Sequence, residues 1–274
     1  MKLQDKFIEL RSKRQGILAT NFYNYETLKG VLLAAKAKEQ PIILQLTRSS
    51  IDYMGLPVAF QMAKSMLDYH GVEGWVHLDH GDSYDLVAQC LDAGFDSVMI
   101  DASEKSFSEN IAVTSKVVKL AERYGANVEA ELGYIAKLGQ DKEKGGFTQP
   151  LEAKEFVDAT GVNALAIAIG TAHGFYDKEP ELQLARLSEI AAITNATLVL
   201  HGGSGVPGDS LREAVDRGIC KINLATEIKN IFMQTLKAKL LTNEEIDLRK
   251  VFPVATDQIV GLVKDKLDIV KNLK

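Results

Sequence analysis

Three of the chain's five histidines follow short apolar runs, where a strand should give way to a loop. They are His80 in Val76-His77-Leu78-Asp79-His80-Gly81, His173 in Gly170-Thr171-Ala172-His173-Gly174, and His201 in Leu198-Val199-Leu200-His201-Gly202-Gly203. Three imidazoles with an open fourth position are a common way to hold a catalytic Zn²⁺. Asp101 and Glu131 close two further apolar runs. As carboxylates they could orient the imidazoles, offer an alternate metal position, or pair with a buried Lys or Arg. Asp79 adjoins His80 and is placed either to move protons on a metal-bound substrate or to support that histidine. His77 alternates onto the face of Asp79 and reads as a structural histidine of a barrel interior. His70, before Gly71, reads as a helix-end cap or a solvent-facing residue.

A second chemistry follows the last two runs. His201-Gly202-Gly203-Ser204-Gly205 and Asn223-Leu224-Ala225-Thr226 combine glycines with hydroxyl and amide side chains. Glycines let backbone N–H groups approach an anion closely, and Ser and Thr add donors, so phosphate is the natural ligand. Read alone, Gly-Gly-Ser-Gly is equally a flexible turn.

These residues need elements to position them. Eight short apolar runs serve as strands: 16–20, 41–46, 74–78, 97–101, 126–131, 163–169, 197–200 and 219–224. Segments with apolar residues at helical spacing lie between them: 25–39, 59–69, 85–93, 109–124, 151–159, 182–193 and 210–217. Several end at a glycine, as in Ala93-Gly94, Tyr124-Gly125 and Thr160-Gly161. Residues 1–14 read as an amphipathic helix, and 226–241 and 257–273 as two C-terminal helices. Eight such β units predict an α/β fold, a (β/α)8 TIM barrel in a single domain 1–274 with extra C-terminal helices. An open doubly wound sheet is the alternative, but Thr20-Asn21-Phe22-Tyr23-Asn24 is not the glycine-rich turn it would carry. In the barrel every polar strand end meets one rim: Asn21, Thr47, Ser49 and Ser50, Asp79 and His80, Asp101, Glu131, His173, His201, Asn223 and Thr226.

Composition narrows the class. Hydrophobic residues are 46% and charged residues 25%, with a net charge of −5. That argues against a nucleic-acid or anionic-membrane binder, which needs a basic face. Two cysteines without a C-x-x-C pair, a polar N-terminus and no apolar run of ~18 residues lead us to expect a cytoplasmic protein without disulfides or membrane spans.

At this point the motifs match a known family. The chain resembles the class II, metal-dependent ketose-bisphosphate aldolases, which act on fructose or tagatose bisphosphate. The resemblance rests on His77-Leu78-Asp79-His80-Gly81, Ser97 to Ser103, Val128 to Gly133, Gly170 to Gly174, Leu200 to Pro207 and Lys221 to Glu227. It implies that His80, His173 and His201 bind one catalytic Zn²⁺, and that Asp79 exchanges the proton on the oxygen at the C3–C4 bond. It implies that Gly174, Gly202, Ser204, Asn223 and Thr226 hold dihydroxyacetone phosphate. A monovalent cation (Na⁺ or K⁺) near the phosphate loop and a homodimer or homotetramer are further implications.

The family's second acid comes from a Gly-Gly-x-Glu-Asp loop after strand 5. Here Leu132 to Gly146 lacks it, leaving Asp141 and Glu143 as candidates. Ala102 stands where Gly is common, and Ala225 where some members carry an acid. Arg249 is a candidate for the distal phosphate, reaching from a neighbouring subunit. The resemblance therefore also allows an unusual aldehyde half, such as a sulfonated or non-phosphorylated one. The expected activity is cleavage of a ketose 1,6-bisphosphate in carbohydrate metabolism. Alternatives are a Schiff-base aldolase using Lys221, a metal-dependent hydrolase (which usually starts from a His-x-His pair absent here), and a non-catalytic sugar-phosphate-binding homologue.

Overall fold

The strands are apolar on both faces, so each must be covered on both sides. The computed structural model, which describes residues 1–136, 146–242 and 244–272, solves this by closure. Eight parallel strands pair in sequence order, and β8 returns to β1. The chain opens with α1 (Leu3–Ser12), β1 (Ile17–Asn21), α2 (Tyr25–Lys38) and β2 (Ile42–Leu46). It continues through α3 (Arg48–Met54), α4 (Leu56–His70), β3 (Gly74–Gly81), α5 (Tyr84–Ala93), β4 (Ser97–Ile100) and α6 (Phe107–Glu122). Next come β5 (Asn127–Leu132), α7 (Pro150–Thr160), β6 (Ala164–Ile167), α8 (Leu184–Ile193), β7 (Thr197–Leu200), α9 (Gly208–Asp216) and β8 (Ile219–Leu224). It closes with α10 (Thr226–Leu240), α11 (Leu248–Val251) and α12 (Pro253–Lys271).

Strand alternation divides the core in two. Leu18, Leu44, Val76, Val98, Val128, Leu165, Leu198 and Ile222 point outward and pack with the helices. Ile17, Ala19, Ile43, Trp75, Ala164, Ala166 and Val199 point inward near the strand starts, where Leu3, Phe7 and Leu10 of α1 cover them. The amphipathic N-terminal segment is thus a stopper across the N-terminal mouth. Above this layer the interior turns polar: Gln45, His77, Ser97, Glu129 and Lys221 are all at most 1% exposed.

Four details depart from the expected elements. Residues 48–54 form α3 where a polar loop is expected, because Thr47 caps a helix by accepting from the Ser50 N–H. α4 starts earlier than the apolar periodicity suggests, with Pro57 in its first turn. The short α11 is not legible in the periodicity at all. His70, the last residue of α4, does not face solvent; it is buried. Among the described residues no helix is long and apolar enough to cross a membrane.

Candidate metal centre and active site

The C-terminal ends of the strands bring His80, His173 and His201 together, with one ligand nitrogen from each lying within 4.8 Å of the others. Their rings sit 4.8 to 5.9 Å apart, centre to centre. Two backbone devices aim them. Pairing of β3 with β4 breaks register between Leu78 and Gly81, and His80 inside that irregularity takes a positive φ of 49°. That conformation is uncommon for any side chain larger than glycine's and concentrates at functional sites. Gly202, with φ 68°, lets the loop after β7 press on the loop after β6; a Cβ there would stand 2.4 Å from the Ala172 carbonyl. The Tyr176 hydroxyl ties the same loops, at 2.8 Å from the carbonyls of Ala172 and Gly202.

Two of the rings, His80 and His201, have their orientation set from behind. His80 Nδ1 lies 2.9 Å from Asp101 Oδ2, leaving Nε2 toward the other histidines. Asp101 is itself held by the N–H and hydroxyl of Ser103. The His201 Nε2–H donates to Glu129 Oε1 at 2.8 Å, leaving Nδ1 toward the centre. Glu131 Oε2 is 3.0 Å from that Nδ1. The approach nevertheless lacks hydrogen-bond direction, because both buried atoms remain without a hydrogen-bond partner. We therefore read that contact as electrostatic.

A buried nitrogen with no hydrogen bond, beside a carboxylate and two more imidazoles, fits a cation, so the residues present suit a divalent metal. Imidazole nitrogens suit zinc, copper, iron and nickel ions. Asp101 and Glu131 stand behind or beside these histidines, and among the described residues the cluster of mutually close donors consists of the three histidines.

The three rings differ in charge. For His173, burial and then the neighbouring His80 and His201 hold the imidazole down to about 3. For His201, burial opposes the proton, but Glu129 and Glu131 outweigh it and raise the group to about 10. His80 is raised as well, by Asp79 and Asp101 against its burial.

Asp79 is buried beside the cluster, Oδ1 lying 3.9 Å from His80 Nε2. Its carboxylate accepts from three amides: Asn21 Nδ2 at 3.0 Å, Gln45 Nε2 at 3.2 Å and Asn223 Nδ2 at 3.2 Å. Burial works against its charge, but His80, His201 and Lys221 hold its pKa below the usual carboxylate value. The oxygens of the same three amides are buried without partners. They remain free to accept from hydroxyls.

The anion loops lie alongside. The Gly203 N–H donates to the Asn223 carbonyl, joining the ends of β7 and β8. Ser204 Oγ accepts from the Glu227 N–H in the first turn of α10, and Thr226 opens that helix. Thr47, by contrast, spends its hydroxyl on Ser49 and Ser50 at the start of α3. Gly174 follows His173 with φ 98°. Arg249 lies on α11, paired with Asp247 and largely exposed. Asp141 and Glu143 fall outside the described residues.

Sequence reasoning passed over Gln45 and Glu129. The available signal was parity: each is a polar residue interrupting an apolar strand, on the same face as a residue already singled out. Lys221, weighed above as a nucleophile, is 1% exposed and bound to Glu129 at 2.6 Å.

A closed (β/α)8 barrel with a cluster of three histidines, a buried carboxylate and a glycine-rich loop after β7 defines a TIM-barrel protein with a candidate metal centre. The chain belongs to the class II fructose-bisphosphate aldolase family, whose family model matches residues 1–273. It is similar to the YdjI aldolase of Escherichia coli K12, at 29% identity over 98% of this chain and 96% of that one, with a TM-score of 0.88. The fold also matches the fructose-bisphosphate aldolase of Campylobacter jejuni, at 20% identity over 99% and 94% of the two chains, with a TM-score of 0.84.

Proposed function

We propose that the protein is a Zn²⁺-dependent aldolase that reversibly cleaves a ketose 1,6-bisphosphate, of fructose or tagatose, to dihydroxyacetone phosphate and an aldehyde such as glyceraldehyde 3-phosphate. The observation that carries this reading is the ionised, triply amide-bound Asp79 beside three convergent histidines. Zn²⁺ held by His80, His173 and His201 would polarise the substrate ketone and stabilise the charge that develops on its oxygen.

Asp79 takes the proton from the C4 hydroxyl. As that oxygen becomes the aldehyde carbonyl, the C3–C4 bond breaks and its electron pair stays on C3. In the condensation direction Asp79 returns the proton. A second acid must protonate C3, and Asp141 and Glu143 are the candidates. Asn21, Gln45 and Asn223 hold Asp79 in place and offer their free oxygens to substrate hydroxyls. The loop of Gly202 and Ser204, with Asn223, Thr226 and Gly174, takes the phosphate next to the ketone, where backbone N–H groups and the start of α10 favour an anion. The family's expectations of a homodimer or homotetramer and a monovalent cation near this loop accompany the proposal, as does the cytoplasmic setting expected from cysteine usage.

A second reading keeps the chemistry and changes the aldehyde half. The missing Gly-Gly-x-Glu-Asp pattern between Leu132 and Gly146, together with Ala225, favours it. The test is side-by-side cleavage of fructose and tagatose 1,6-bisphosphate, with and without EDTA, coupled to dihydroxyacetone phosphate release. Cleavage abolished by EDTA and restored by Zn²⁺ supports the proposal, and the rate ratio names the epimer. No cleavage by Zn²⁺-loaded protein transfers support to another phosphorylated or sulfonated ketose, or to a binding protein.

A further inference from the structure

We infer that Lys221 is a positioning residue for the metal centre: it pins Glu129, and through Glu129 decides which nitrogen His201 turns toward the metal. The inference rests on the reading of the three histidines as a metal site.

Lys221 sits mid-way along β8 with its side chain inside the barrel, 1% exposed. Its Nζ is 2.6 Å from Glu129 Oε2 and 3.3 Å from His77 Nε2. An ammonium can only donate, so His77 Nε2 must accept. The His77 proton is then on Nδ1, which donates to Ser97 Oγ at 2.8 Å. Ser97 Oγ also takes a hydrogen bond from Asn127 Nδ2 at 3.1 Å. The ammonium is therefore fixed from two sides, by His77 on β3 and Glu129 on β5, with Ser97 on β4 holding His77 in turn. With Oε2 of Glu129 bound to it, only Oε1 remains to receive His201 Nε2–H, at 2.8 Å. That bond leaves Nδ1 as the free nitrogen of His201.

Two other roles for Lys221 make different predictions. As a Schiff-base nucleophile it would need an open path to substrate, yet its donors are directed at Glu129 and His77. As simple compensation for a buried carboxylate it would affect stability and leave the metal untouched. Because outer partners of metal-bound histidines typically shift metal affinity 10- to 100-fold when removed, the distinction is measurable without turnover.

The experiment compares wild type, Lys221→Met, Glu129→Gln and the double variant. It reads Zn²⁺ affinity by chelator competition and the visible spectrum of the Co²⁺ form, with folding followed by circular dichroism. The expected result is a loss of roughly 10- to 100-fold in Zn²⁺ affinity for folded Lys221→Met, with a changed Co²⁺ spectrum. Glu129→Gln should lose a similar factor, and the double variant no more than Glu129→Gln alone.

The double variant removes both charges together, so it carries the test if Lys221→Met does not fold. Wild-type affinity and spectrum in Lys221→Met or in the double variant overturn the inference, as does a double variant whose losses simply multiply. Wild-type protein that binds no metal overturns the parent reading and this inference with it. Wild-type protein that binds Zn²⁺ and cleaves substrate beside an unaffected Lys221→Met overturns the inference alone.

Discussion

The base role proposed for Asp79 has an unusual setting: a buried carboxylate whose hydrogen bonds come from neutral amides. Asp79→Asn should therefore lower kcat by about 10²- to 10⁴-fold, the usual worth of a positioned base, while metal content by elemental analysis stays at the wild-type value. An unchanged kcat removes Asp79 from proton transfer. His77 gives a second prediction. Burial and the Lys221 ammonium push its imidazole down to about 3, from an ordinary value of 6.5. Between those values the unfolded chain binds a proton that the folded protein refuses. Stability should thus be full above about pH 6.5 and fall toward pH 3, by up to ~1.4 kcal/mol per pH unit from this group. Nitrogen NMR of the metal-free protein should show a neutral Nδ1–H ring at pH 5.5; an imidazolium there contradicts the assignment. At this scale the sequence was readable wherever a chemical residue adjoined a loop signal, as for His80 beside Gly81 and His201 beside Gly202. Gln45 and Glu129 were not, because a lone polar residue inside an apolar run reveals its partners only when distant strands meet.

Among the elements, the turn after β7 is tightly constrained. Gly202→Ala would need a left-handed backbone, costing about 1–2 kcal/mol, and would drive a Cβ against the Ala172 carbonyl. The expected outcome is a lower melting temperature together with a raised KM, since the same loop carries Ser204. A KM equal to wild type would separate this loop from the substrate. The first helix makes a different prediction. Burial of Leu3, Phe7 and Leu10 over the strand starts at roughly 1.5–3 kcal/mol each amounts to much of a typical domain's net stability of ~5–15 kcal/mol. Deleting residues 1–14 should leave protein that binds a hydrophobic dye and has no cooperative melt. Strands and long helices were legible from periodicity, since burial on one or both faces writes itself into the chain. The helix at 48–54 was not, because its seven residues carry too little apolar repeat and its start rests on one capping hydroxyl, Thr47.

For the whole molecule, closure of the barrel gathers His80 at the end of β3 with His173 and His201 from the segments after β6 and β7, so the proposed metal binding would be linked to folding. Zn²⁺ at a free concentration of about 100 times its dissociation constant should add ~2.7 kcal/mol, seen in calorimetry as a melting temperature that EDTA lowers; a melt indifferent to both would disconnect the histidines from any ion. The barrel itself could be read from the alternation of strands and helices. Its polar middle layer could be read only at His77, since its partners Gln45, Glu129 and Lys221 join it only once register is fixed. The stopper formed by α1 has a kinetic counterpart. With one mouth filled by Leu3, Phe7 and Leu10 and buried side chains packed above them, reactants meet the histidines from the C-terminal rim. Under the proposed reaction both products leave by that rim. The fragment held by the histidines and the glycine loop would leave last, so dihydroxyacetone phosphate should inhibit competitively against the ketose bisphosphate, and the aldehyde noncompetitively.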